Sequence, residues 1–101
     1  MSGKYNSDLA KCLEELTKSI TELENLGTRI ADDIRWFKQR LEDDTINAIE
    51  GVEPMSAEEK AKIEQDLAEA VGLQGFVSNI TTSVLSHSIS IGDKLLNKEA
   101  A

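Results

Sequence analysis

The sequence predicts an all-α chain folded as a long helical hairpin, with coiled-coil or bundle packing that oligomerisation completes. Three observations carry this. Apolar residues recur in steps of three and four from Leu9 to Leu41. Gly51-Val52-Glu53-Pro54 interrupts the chain near its middle. The composition is 40% apolar but only 4% aromatic, with one Pro and six Gly, which favours aliphatic helices over strands and turns. At 101 residues the chain is expected to form a single helical domain, with flexible tails at 1–7 and 98–101.

The first helix is expected over about 6–50. With Leu13 at heptad place a, the a places are Leu13, Ile20, Gly27, Ile34 and Leu41, and the d places Leu9, Leu16, Leu23, Ile30 and Phe37. Nine of those ten places are apolar side chains, and a 3.5-residue repeat of this kind keeps one seam facing a partner helix. Ala10, Thr17 and Ala31 fall at e, and Cys12, Ser19 and Leu26 at g. Small or apolar residues on the flanks suit a bundle, in which a helix touches two others. Past Leu41 the apolar residues drift to Thr45, Ala48, Ile49 and Val52, so the seam is expected to end there. Gly27 leaves room in the seam for a bulky residue opposite, and Phe76 is the candidate filler.

Glycine suits the end of a helix, and proline turns the residue before it away from helix. Ser56-Ala57-Glu58-Glu59 then reads as a capping box opening the next helix. That helix is expected over about 57–71, with Gly72 and Gly75 marking a break or kink before a third segment at about 76–97. The lengths match closely enough for the second half to return along the first.

Ala70 to Gly92 is a run of 23 residues without a charged side chain, in a chain that is 30% charged. Asn79, Thr81, Thr82, His87 and five serines dilute it too far for a membrane span. A strand reading covers only His87, Ile89 and Ile91, with serines between. A helical wheel places more residues: Val77, Ile80, Val84, Ile91 and Leu95 form one stripe, and Leu85, Ile89, Gly92 and Leu96 a second about 100° away. Two stripes need two neighbours, so the segment reads as an interior helix whose second stripe meets a partner.

The net charge of −8 opposes a phosphate backbone, and no basic run offsets it, so no nucleic-acid partner is expected. Its distribution is uneven: residues 1–51 carry −4, residues 52–75 another −4, and residues 76–101 net zero. The N-terminal stretch has no apolar core or cleavage site, and Cys12 is the only cysteine. A cytoplasmic or otherwise intracellular setting is expected, with signal-independent export also compatible. Asn79-Ile80-Thr81 matches a glycosylation pattern that such a setting leaves unused.

No catalytic residue, cofactor or metal site is expected. His87 is the only histidine and reads as a helix-flank hydrogen-bonder, although a hairpin would return residues near 90 toward Cys12. Asp32-Asp33 and Glu42-Asp43-Asp44 read as solvated charge, since neither a Ca²⁺ loop nor a Glu-x-x-His pair is present. Trp36, at place c, is either a ring stacked on Arg40 or an interface anchor. The residues expected to meet a partner are Trp36, Leu26, Leu85, Ile89 and Leu96. Expected partners are further copies or other helical proteins. The function expected is that of a non-enzymatic subunit of a helical assembly: scaffold, tether or adaptor. The alternative is a small acidic chaperone, or a polymerising hairpin subunit of a secretion or filament system.

Overall fold

Two helices of 44 residues each account for most of the chain: α1, Asn6–Ile49, and α2, Ala57–Ala100. They pack against each other as a helical hairpin. The computed structural model describes residues 4–100, with side chains as far as Leu96. Of the tails expected at 1–7 and 98–101, residues 1–3 and 101 lie outside the described residues, and α1 already begins at Asn6.

The hairpin turn follows from three local devices. Gly51 has φ +78°, a left-handed conformation that glycine adopts without a Cβ penalty. Its N–H reaches Ala48 O at 3.4 Å and the Val52 N–H reaches Asn47 O at 2.8 Å, closing the last carbonyls of α1 as a Schellman motif. At the start of α2, Ser56 Oγ accepts from the Glu59 N–H at 3.2 Å, the N-cap half of the expected box. Between these caps the Asp44 carboxylate accepts from the Met55 N–H at 2.6 Å and ties the turn to α1.

The expected division of the second half into 57–71 and 76–97 gives way to one continuous helix. Gly72 and Gly75 lie inside α2, and the Ser-alternating stretch 87–91 is helical as well. Each mid-helix glycine costs only about 1 kcal/mol against alanine. Propagation of a long helix, with Leu67, Ala70 and Val77 covered on one side, outweighs two such costs.

The chain divides into two compact units, Gly27–Phe76 and Met1–Leu26 with Val77–Ala101. In the first, which holds the turn, Ile30 and Ile34 are buried and Phe37, Leu41, Ile63, Leu67 and Ala70 half-buried. In the second, Val77 is buried, with Leu9, Leu13, Leu16, Ile20 and Leu23 half-buried on α1. Across from them Ile80, Thr81, Val84, Ser88, Ile91 and Leu95 are half-buried on α2. Among the described residues only Ile30, Ile34 and Val77 are buried hydrophobics.

Two expectations change in the turn unit. Phe76 is 62% exposed and does not fill the space beside Gly27; it lies off the line of α2 residues that are covered. Asp44 is not solvated charge but 8% exposed. It occupies the d place that follows Leu41, so the seam goes on past its last apolar residue, and burial is sustained by the Met55 hydrogen bond.

Candidate functional site

The inward line of α2 within the unit formed by Met1–Leu26 and Val77–Ala101 runs Val77, Thr81, Val84, Ser88, Ile91 and Leu95, again in steps of four and three. Thr81 satisfies its hydroxyl on Val77 O at 2.8 Å, whereas Ser88 Oγ is buried with no hydrogen-bond partner among the described residues. This line consumes only one side of the helix. About 90° around the wheel stand Leu85, Ile89, Gly92 and Leu96, themselves spaced four, three and four apart. Leu85 is exposed, Ile89 is 64% exposed and Leu96 65% exposed. Gly92 is half-buried, yet a Cβ added there would meet nothing within 4 Å. The stripe is thus a second apolar line with open space at one place, and Asp93 and Lys94 are the first charges that follow the uncharged run 70–92.

On α1 in the same unit, Cys12, Ser19 and Leu26 stand seven residues apart at g; Tyr5, in the turn before the helix, and Leu26 are exposed. Cys12, Leu16 and Ser19 line one wall of an open groove of about 710 Å³, and His87 and Ile91 line the other, with Lys11 and Glu15 at its rim. The hairpin therefore brings Cys12 and His87 into one groove, both exposed. Both sit well inside long helices, where backbone N–H groups are committed to i−4 carbonyls and are not free to hold an oxyanion. Among the described residues no cluster of three or more His, Cys, Asp or Glu side chains could hold a metal ion.

In the turn unit, Trp36 is 56% exposed. Its ring lies edge-on to Phe37 at 5.4 Å, and the Arg40 guanidinium sits 5.5 Å from its centre. Phe37 is half-buried at a seam place, so the indole is held between a seam ring and Arg40 while more than half of it stays open. The ion pairs Arg35 with Asp32 in this unit, and Lys18 with Glu14 and Glu15 at 3.9 and 3.7 Å in the other, all lie between exposed side chains.

All five residues singled out in the sequence for partner contact, Trp36, Leu26, Leu85, Ile89 and Leu96, are exposed. Leu26, Leu85, Ile89 and Leu96 belong to one unit and Trp36 to the other. Sequence reasoning missed Asp44, whose signal was the heptad place it continues. No helix among the described residues is long and apolar enough to cross a membrane. No family model matches the chain, and no match is found among curated proteins or solved structures.

Proposed function

We propose that this chain is a non-enzymatic helical subunit of a larger coiled-coil or helical-bundle assembly, acting as scaffold, tether or adaptor through protein–protein contact. One observation carries the reading: Leu85, Ile89 and Leu96 form an exposed apolar stripe on a helix whose 70–92 segment has no charge. Water-exposed leucine and isoleucine at heptad spacing are costly to leave uncovered, and a further helix laid along them would bury them. The scarcity of buried hydrophobics agrees, because three such residues among those described are a thin core for a chain of this length.

The test compares the parent chain with the double variant Leu85→Asp, Ile89→Asp. Light-scattering mass is measured across a hundredfold concentration range, with binding of an apolar-surface dye and far-UV circular dichroism. The parent should self-associate or bind dye, and the variant should do neither while keeping its helicity. A parent that stays monomeric, melts cooperatively and leaves the dye unbound overturns the reading.

A further inference from the structure

We infer that α2 carries a hinge at Val71–Phe76, a stretch whose helical hydrogen bonds open while the helix on either side stays folded. The inference goes beyond the assembly reading and does not rest on it.

The first observation is burial. The inner line of α2 steps by three and four from Ile63 through Ala70, Gln74 and Val77 to Leu95. Every place on that line is buried or half-buried except Gln74, which is exposed. The rest of Val71–Phe76 is exposed as well, Phe76 to 62%. Six consecutive residues, about one and a half turns, therefore bring no buried or half-buried side chain to the helix. Nowhere else between Ile63 and Leu95 are more than three consecutive residues exposed.

The second observation is the pair of glycines that brackets the glutamine. Neither Gly72 nor Gly75 has the positive φ of Gly51, and an added Cβ at either meets nothing within 4 Å. Neither turn geometry nor close approach calls for glycine there. What remains is its effect on the helix itself, since glycine is the poorest helix former after proline.

The third observation is that nothing else staples the stretch. No charged side chain occurs from Ala70 to Gly92, so no ion pair at i,i+4 spans it. Helices in proteins draw most of their stability from packing, and local opening is favoured where covered contacts are few. Opening Val71–Phe76 uncovers no buried or half-buried side chain of its own, and the freed residues regain backbone entropy.

The measurement is native-state hydrogen exchange of the full chain, resolved by residue, without urea and at low urea. The amides of residues 73–79 should be at least about tenfold less protected than those of 63–70 and 81–88, through an opening that urea hardly changes because little surface is exposed. The double variant Gly72→Ala, Gly75→Ala should raise protection at 73–79 about twentyfold. Chymotrypsin adds a second readout, because a helix must open before it is cut. It should cleave the parent first after Leu73 or Phe76 and leave Trp36 intact, although Trp36 is itself 56% exposed. The double variant should slow that cut by a similar factor. Amides at 73–79 that are as protected as their neighbours, with the same urea slope, overturn the hinge, and so does a first cut after Trp36. Protection and cleavage indifferent to the two alanines overturn the glycines as its cause.

Discussion

Asp44 and Ser88 are polar residues standing where heptad spacing places core side chains, and they resolve the conflict in opposite ways. Asp44 Oδ1 accepts from the Met55 N–H at 2.6 Å across the turn, so its burial is matched by a charge-assisted hydrogen bond. Asp44→Ala should lower stability by about 1–3 kcal/mol, because the Met55 amide loses its partner; Asp44→Asn, which keeps an acceptor oxygen, should lose less. Urea denaturation at fixed chain concentration distinguishes the two, and equal losses would mean that charge rather than hydrogen bonding holds the turn. Ser88 Oγ is buried without a partner among the described residues. Ser88→Ala removes an unsatisfied hydroxyl and improves helix propensity, so it should raise stability by about 1 kcal/mol. A loss instead would show that the hydroxyl is engaged.

At the scale of elements, glycines mark both what the chain makes plain and what it hides. Gly51 lies at φ +78°, and Gly51→Ala should cost about 1 kcal/mol because alanine pays for the left-handed conformation. Gly72 and Gly75 lie within α2, with nothing within 4 Å of an added Cβ. Gly72→Ala and Gly75→Ala should each stabilise by about 0.8–1 kcal/mol, read as a higher melting temperature by circular dichroism. From sequence, all three are the same residue type near a change of pattern, and only Gly51 is followed by a proline that forbids helix three residues on. That is why the turn was legible and the continuity of α2 was not. The α1 seam was legible for a different reason: nine apolar side chains at strict heptad places leave few alternatives. Phe76 was misplaced because periodicity on one helix does not set the register between two. The exposed stripe was readable from the wheel because Leu85, Ile89 and Leu96 sit too far around α2 from Val77, Val84 and Ile91 to share one neighbour.

At the scale of the whole molecule, the proposed assembly role has a salt effect whose sign can be worked out for the self-association of two −8 chains. Where the contact is made through Leu85, Ile89 and Leu96, added salt has no attraction there to screen. What it screens is the mutual repulsion of two acidic chains, an effect on the order of 1 kcal/mol between low and moderate ionic strength. Raising NaCl from about 20 mM to about 300 mM shortens the screening length from tens of ångströms to a few. The dimer dissociation constant should therefore fall by roughly fivefold, and the melting temperature should rise both with salt and with chain concentration. An interface built on Lys11, Lys18 or Arg35 meeting carboxylates of the other copy would respond the opposite way, its dissociation constant climbing as salt screens the attraction. Sedimentation equilibrium at the two salt concentrations therefore separates a contact made through Leu85, Ile89 and Leu96 from one made through the charged outer face of α1. A dissociation constant that climbs with salt would move the interface to that face.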